Sequence, residues 1–191
     1  MIQLLPAKDR KASPWKNGGG RTFEIAAHPP GADFETFDWR ISLAEIEKDG
    51  LFSRFDGVDR ILSLIEGRMT LEIGDPAQSH PLETASSPVI FAGESPVFAR
   101  LQTPLTLDIN LMTRRGRCRA TLERLRLDQR LAIDAGAGLG FVFALTPLVL
   151  ESEGLETPLS RMDGAFFSGV ADLFPPAEGK GEVLLAQILA A

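Results

Sequence analysis

The chain has 191 residues and a mass of 20.7 kDa, which is enough for one large domain or for two small halves packed together. Hydrophobic residues make up 44% of the chain and charged residues 24%, a composition that fits a folded globular protein and excludes a disordered or coiled-coil chain. The net charge of −6 at pH 7 gives no overall field that would attract nucleic acid or an anionic membrane.

A hydrophobic period of two residues, the period of a β-strand, dominates the chain. Segment 37–44 alternates apolar side chains with Asp38, Arg40 and Ser42, and segment 105–111 repeats the alternation. Each of these strands therefore has one apolar and one polar face. Further strands are predicted at 21–27, 59–65, 68–73, 89–92, 97–101, 120–127, 140–144 and 182–189.

Turn signals at short intervals separate the predicted strands. Glu66-Gly67 stands between two of them and predicts a hairpin. Only segment 183–191 is equally compatible with a helix. Many short strands at this spacing favour a sandwich or barrel over a layered α/β fold. We therefore predict an all-β protein with strand-rich halves at 1–115 and 116–191.

The sequence shows no segment that would direct export or cross a membrane. Four charged residues at positions 8–11 follow the first apolar residues, which leaves no apolar signal-peptide region. The longest uncharged run, 135–150, has 16 residues and is interrupted by three glycines and a proline, whereas a spanning helix needs about 20 residues. We expect a cytoplasmic protein without a membrane partner.

A tryptophan, an amide and three consecutive glycines precede the first long strand, in segment 15–22. Asn-Gly is ordinary turn chemistry because both residues tolerate a positive φ. Three successive glycines cost more chain entropy than a turn requires, and they allow close backbone approach to another strand or to a ligand. The segment is therefore either a plain structural loop or a loop that lines a site.

Two arginines stand among strongly apolar neighbours on predicted strands, Arg40 and Arg60. An arginine on a solvent-facing side of a sheet is unremarkable. An arginine inside a barrel needs a carboxylate partner or an acidic ligand, and its planar fork matches a carboxylate. With Ser42 and Asn110 at comparable polar positions, the pair indicates an anion-binding cavity.

Metal and nucleophile chemistry find little support in the sequence. The two histidines, His28 and His80, each precede a proline and have no metal-ligand partner two or four residues further along the chain. Cys118 lies between two arginines that point to the opposite face of a strand, so we expect an inert thiol. We predict no metal and no other cofactor.

An arginine-rich run at 114–126 contains a single acid, Glu123. Such a stripe could contact nucleic acid, but no aromatic residue interleaves the arginines for base stacking. We expect salt bridges to the surplus carboxylates instead, and no nucleic-acid partner.

The motifs together resemble the HutD/Ves family of cupin-like proteins. The resemblance rests on residues 3–117, in the matching stretches Trp15-Lys16-Asn17-Gly18-Gly19-Gly20-x-Thr22-x-Glu24-Ile25, Phe37-Asp38-Trp39-Arg40-Ile41-Ser42-Leu43-Ala44, 49–60, Phe91-Ala92-Gly93-Glu94 and 108–116. It implies a cupin-type jelly roll in a compact bicupin-like arrangement of two β-barrel halves. It also implies a role in regulating bacterial histidine utilisation, with ligands such as N-formylglutamate, formiminoglutamate or urocanate.

The site hypothesis combines this resemblance with the strand pattern. Arg40 and Arg60 would bind carboxylates of a small acidic metabolite. Neutral hydrogen-bonding partners would be Asn17, Ser42 and Asn110. Apolar walls would be Trp15 and Phe52, and Thr22 would orient the glycine-rich loop. We expect regulatory binding without catalysis. The alternatives are a metal-free cupin enzyme, for which Glu24 is the nearest general base, and a nucleic-acid regulator; a homodimer is left open.

Overall fold

The computed structural model describes residues 1–15, 17–176 and 179–191, so Lys16 of the glycine-rich loop lies outside the described residues. These residues form nineteen strands and one 3-10 helix, Ala7–Asp9. The prediction of an all-β protein is confirmed, and segment 183–191, for which a helix was the alternative, lies in a strand up to Ala190. Within the described ranges there is no helix with the length and apolar character that crossing a membrane requires.

The strands fall into two compact units, one formed by Lys11–Arg119 and the other by Met1–Arg10 with Ala120–Ala191. Strands of the first unit are β2 (Ala12–Pro14), β3 (Gly20–His28), β4 (Trp39–Ile46), β5 (Gly50–Leu51), β6 (Val58–Glu66), β7 (Arg68–Ile73), β8 (Gln78–Glu83), β9 (Val89–Ala92), β10 (Val97–Leu101) and β11 (Thr106–Arg114). Strands of the second are β1 (Ile2–Leu5), β12 (Cys118–Leu127), β13 (Leu131–Asp134), β14 (Leu139–Ala144), β15 (Leu148–Ser152), β16 (Leu155–Leu159), β17 (Gly164–Phe167), β18 (Val170–Phe174) and β19 (Gly181–Ala190).

The first unit packs a six-stranded antiparallel sheet, in the order β2-β3-β4-β11-β6-β9, against a four-stranded one, β5-β10-β7-β8. Apolar residues from both sheets meet in one cluster, including Leu62 and Leu64 from the first and Met69 and Leu71 from the second. We call the side of the six-stranded sheet that contributes to this cluster its inner face. The strand alternation read from the sequence therefore divides each strand between this inner face and the opposite one.

The second unit repeats the two-sheet plan, with the orders β1-β17-β14-β19-β12 and β13-β18-β15-β16. Its core cluster contains only apolar side chains, such as Val142, Leu150 and Phe167. The Phe167 ring lies so close to Gly140 that a Cβ at this position would overlap it. Among the described residues of this unit, Ser152 is the one polar residue that is buried as a whole.

The first ten residues, expected within the N-terminal half, belong to the second unit, because β1 pairs along its whole length with β17. The division between the units falls after Arg119, four residues beyond the expected boundary at 115. The first and last residues of every strand predicted from the alternation are within three residues of those of an observed strand.

The predicted hairpin at Glu66-Gly67 is wrong. Its two strands, β6 and β7, belong to different sheets, and Gly67 carries the chain from one sheet to the other with a φ of 85°. A single residue between two long strands is too short to close a two-residue hairpin turn. A Cβ at Gly67 would lie 2.6 Å from the Leu105 carbonyl oxygen and 2.6 Å from the Thr103 hydroxyl.

Gly67→Ala is therefore expected to lower the free energy of unfolding by at least about 2 kcal/mol, through left-handed backbone strain and collision with backbone. Gly116→Ala is the matched control, since its φ is 78° but a Cβ there meets nothing within 4 Å. It should cost about 1 kcal/mol. Urea denaturation measures both; equal losses would show that the close approach at Gly67 is unimportant.

Candidate functional site

Two arginines lie on the inner face of the six-stranded sheet. Arg40 on β4 and Arg60 on β6 are both register partners of Met112 on β11, so the three side chains share one face. The two arginines are separated by two inter-strand spacings, about 10 Å between backbones. Both are buried, at 8% and 5% exposure.

The next row on this face is polar as well. Ser42 on β4 pairs with Asn110 on β11, one step of the inner-face alternation beyond the arginine row. Arg40 Nη1 donates to Ser42 Oγ at 3.3 Å. With the Asn110 amide oriented to satisfy its hydrogen bonding, its oxygen accepts from Arg60 Nε at 3.3 Å and from Nη2. The two guanidinium groups therefore contact neighbouring residues of one row, Ser42 and Asn110.

Arg40 is paired with a carboxylate from the adjacent strand. Its Nε donates to Glu24 Oε2 at 2.9 Å, and the Glu24 side chain is half exposed. The Phe34 ring, 54% exposed, covers the guanidinium carbon at 4.7 Å. Glu24, the general base of the enzyme alternative, is thus a partner of Arg40.

Arg60 is enclosed by aromatic rings. Three phenylalanine ring centroids lie 5.0 to 5.5 Å from its guanidinium carbon, those of Phe52, Phe55 and Phe91. Its Nη1 donates to the Ser53 carbonyl oxygen at 3.3 Å. Ring faces attract a cation, so the enclosure stabilises the guanidinium without neutralising it.

None of the ion pairs formed among the described residues involves Arg60, although its charge is buried. Burial lowers the pKa of Arg60 to about 10, an effect that the charge of Asp108 partly opposes. The guanidinium is still cationic at neutral pH. Among the described residues, Glu24 is the one carboxylate in an ion pair with either arginine, so the polar region is short of paired negative charge.

Asp108 lies one row further along the inner face, on β11 opposite Ala44 and Leu64. It is 1% exposed, and its Oδ2 accepts no hydrogen bond from the described residues. Burial raises the pKa of Asp108 to about 7, with the charge of Arg60 acting in the opposite direction. The carboxyl group is thus partly protonated at neutral pH and does not fully balance Arg60.

The structure thus brings together four of the assigned residues, Arg40, Ser42, Arg60 and Asn110, and places the Phe52 ring over Arg60. Sequence reasoning did not assign four residues that contact or face this group. These are Phe34, Phe55, Phe91 and Asp108. For Asp108 a signal was present, since it alternates with Asn110 on one strand.

Trp15 and Thr22 lie beside the same core. Trp15 packs against the apolar cluster of the first unit, and its indole N–H donates to Thr22 Oγ1 at 2.7 Å. Thr22 therefore holds the start of the glycine-rich loop through Trp15. Asn17 is exposed, and its Oδ1 accepts from the Gly19 N–H at 3.0 Å, so its contact is local to the loop.

The last glycine of this loop has a packing reason. A Cβ at Gly20 would collide with the Glu45 carbonyl oxygen on β4. The Glu47 N–H donates to the Gly19 carbonyl oxygen at 2.9 Å, which continues the contact between loop and β4. Close approach of the two backbones explains the glycine at position 20 without a ligand.

The residues of the inner face do not fit a metal centre. Metal-binding barrels need several imidazole or carboxylate donors converging on one point. The inner face carries two carboxyl groups, Glu24 and Asp108, but its two guanidinium groups repel a cation. Over the described ranges, no three His, Cys, Asp or Glu residues are grouped for a metal ion.

The arginine-rich run forms salt bridges. Arg115 pairs with Asp59 and Glu94, and Arg117 Nη1 contacts Asp38 Oδ1 at 2.7 Å. These pairs neutralise part of the stripe on which the nucleic-acid alternative rested. Burial and the nearby Asp38 raise the pKa of the Cys118 thiol, which disfavours a reactive thiolate.

The two-sheet architecture defines the fold class. The cupin 2 conserved barrel domain protein from Leptotrichia buccalis superposes with a TM-score of 0.58 over 88% of each chain, at 10% sequence identity. At this low sequence identity, the structural similarity shows the fold alone. The protein has a cupin-type jelly-roll fold.

Sequence comparison gives the family. The HutD family model matches residues 7–185. Protein Ves from Cronobacter sakazakii is 34% identical over 188 residues, covering 98% of each chain. HutD from Pseudomonas fluorescens SBW25, solved in a formate condition, has a TM-score of 0.84 and 29% identity over the whole of both chains. The chain belongs to the HutD/Ves family.

A third relative links the family to a genomic region. A Pseudomonas putida protein, 38% identical over 140 residues and 73% of each chain, is described as an uncharacterized 21.2 kDa protein in the hutC 3′ region. The family is therefore associated with the histidine-utilisation region.

Proposed function

We propose that this protein is a non-catalytic binding protein for a small acidic metabolite, of the formylglutamate or urocanate type, and that it regulates histidine utilisation. The observation that carries the proposal is Arg60, a buried cation without an ion-pair partner among the described residues, beside a second buried arginine. Removing a guanidinium from water is costly unless an anion compensates it. A bound carboxylate supplies that compensation.

The neighbouring groups suit a carboxylate ligand. Arg40 and Arg60 donate in planar forks that match carboxylate geometry, and both guanidinium groups lean over one row. Ser42 and Asn110 add neutral polar atoms to the same row. The aromatic rings around Arg60 exclude water, which strengthens each charge-assisted hydrogen bond.

The contrast between the two units supports a site in the first one only. Among the described residues, eight polar or charged residues are buried in the first unit and one, Ser152, in the second, so this two-sheet plan does not require a buried polar row for folding. We propose that the units are the two halves of a bicupin in which the N-terminal half binds the metabolite and the other is structural.

The test is thermal unfolding with N-formylglutamate, formiminoglutamate or urocanate, and with glutamate as the control compound. At about 100 times Kd a ligand adds about 2.7 kcal/mol to the free energy of unfolding. For a chain of this size the melting temperature should rise by about 5–10 °C. No shift with any of them at millimolar concentration would remove this ligand class. NMR of the incubated samples should show the ligand unchanged; turnover would favour the enzyme alternative.

Arg40→Ala is expected to weaken binding of the active compound about 10- to 150-fold, because one charge-assisted hydrogen-bonding group is lost. Arg100→Ala is the matched control, since Arg100 is an exposed strand arginine paired with Glu72. It should leave the affinity unchanged. Isothermal titration calorimetry measures both, and equal affinities in the two variants would remove Arg40 from the site.

A further inference from the structure

Asp108 is a buried carboxyl group that the arginine site does not by itself explain. Of its two oxygens, Oδ2 has no hydrogen-bond partner among the described residues. Buried polar atoms in native proteins are nearly always satisfied, so an orphaned carboxyl oxygen calls for a physical reason. Asparagine or leucine at this position would avoid the cost of a buried acid.

Most neighbours of Asp108 on the inner face are apolar; the polar ones are Arg60 and, on its own strand, Thr106 and Asn110. On its own sheet it lies between Ala44 and Leu64, and the opposing sheet contributes Met69 and Leu71 to the same interior. Such an environment favours the neutral form of a carboxyl group. In that form the group has an O–H to donate, and the unpartnered oxygen is where a ligand atom would meet it.

The titratable groups that surround Asp108 are few. On the inner face of its sheet they are Glu24, Arg40 and Arg60, and on the opposing sheet His80 of β8 is the register partner of Leu71. Burial holds the pKa of Asp108 at about 7, and Arg60 is the charge that lowers it. A small change at this group is therefore enough to shift its protonation near neutral pH.

We propose that Asp108 determines ligand specificity: in its protonated form it donates a hydrogen bond through Oδ2 to an acceptor oxygen at the inner end of the ligand. The inference rests on the proposed function, because it requires an anion held by the arginines. The ligand class becomes narrower: one carboxylate for the arginines, and a second carboxylate or carbonyl oxygen beyond it.

The row spacing supports a ligand with two polar ends. Asn110 and Asp108 are two residues apart on β11, so their rows are about 7 Å apart along the strand. A short compound with acceptor oxygens at both ends reaches from the row where the guanidinium groups lie to the Asp108 carboxyl group. A monocarboxylate with a hydrocarbon tail would leave Asp108 unsatisfied.

The proposal predicts proton uptake on binding. Above pH 7 most of the free protein carries ionised Asp108, and a ligand that accepts its hydrogen bond must draw a proton from solvent. Calorimetric titration with N-formylglutamate at pH 8, in two buffers of different ionisation enthalpy, should show uptake approaching one proton per ligand. The affinity should fall about tenfold between pH 7.5 and 8.5.

Three variants separate this role from a structural one. Asp108→Asn keeps a donor and cannot titrate, so it should bind at pH 6 within about threefold of the wild type and show no uptake at pH 8. Asp108→Leu removes the donor and should lose about 10- to 100-fold in affinity. His80→Gln should keep the uptake of the wild type.

Each failure has its own meaning. Wild-type protein that binds N-formylglutamate without proton uptake, equal binding by the Asn and Leu variants, or uptake that disappears with His80 would each overturn the role of Asp108 and leave the proposed function standing. Turnover of the ligand that Asp108→Asn abolishes would make Asp108 a general acid and overturn the specificity role. No binding by the wild type would overturn the site and this inference together.

Discussion

Arg60→Met is expected to weaken binding of the acidic metabolite strongly and at the same time raise the stability of the ligand-free protein. Binding should weaken by about 30-fold to several thousand-fold, because a desolvated charge partner typically contributes about 2–5 kcal/mol. Burial lowers the pKa of Arg60 to about 10. The lowered pKa means that burial destabilises the guanidinium cation in the folded protein relative to the unfolded chain. Methionine packs well against the phenylalanine rings and has no charge to desolvate.

The gain in the free energy of unfolding should be about 1–3 kcal/mol at pH 6. At this pH Asp108 is largely neutral, so loss of Arg60 does not leave a buried carboxylate without a counter-charge. Urea denaturation measures stability and titration calorimetry measures binding. Arg100→Met, at an exposed position, should change stability by less than about 0.5 kcal/mol. An Arg60→Met variant that unfolds more easily and still binds would make Arg60 a structural residue.

The second large effect is a dependence of stability on pH that Asp108 produces. Burial raises the pKa of this group from 3.8 to about 7. Between these values the unfolded chain has lost the proton and the folded protein still holds it, so the folded state is progressively disfavoured as the pH rises. The free energy of unfolding is therefore highest below about pH 4 as far as Asp108 is concerned. It falls between about pH 4 and 7, by about 4 kcal/mol in total, and does not change further above pH 7.

The comparison with Asp108→Asn isolates this contribution. Other carboxylates, such as Asp33, Glu94 and Asp172, have a lowered pKa and act in the opposite direction, because their contribution to stability is lost in acid. They are common to both proteins and cancel in the difference. The stability advantage of the Asn variant should therefore grow from pH 4 to pH 7 and level off, as followed by urea denaturation at each pH. A constant difference would show that Asp108 ionises normally.

The long strands could be predicted because alternation covers most of their length. Polar and apolar residues alternate at 39–43 in β4 and at 106–111 in β11, and burial of the apolar face fixes the register. Short edge strands such as β5, with two residues, carry too few positions for a period to appear. The hairpin at Gly67 was wrong for a different reason, because turn residues alone do not distinguish a return within one sheet from a crossing to another.

The candidate site could be predicted only where it lies on those strands. The alternation placed Arg40, Ser42 and Asn110 on one face, and the barrel interior is where the structure has them. Phe34 and Phe55 come from loops without regular structure, so no local pattern indicates that their rings meet the arginines. Asn17 carries a side chain of suitable chemistry, but the loop that contains it uses its oxygen internally.

The Glu24–Arg40 pair has a consequence for the concentration range over which the protein would respond. Before any ligand arrives, Arg40 already donates to a carboxylate of the same chain. An incoming carboxylate competes with Glu24 for Arg40. Part of the free energy of the new ligand contact is therefore offset by loss of the Glu24 contact. On the proposed function, this internal competitor moves the saturation curve to higher metabolite concentrations while leaving discrimination among ligands to the inner groups. The protein would then ignore basal levels and register accumulation.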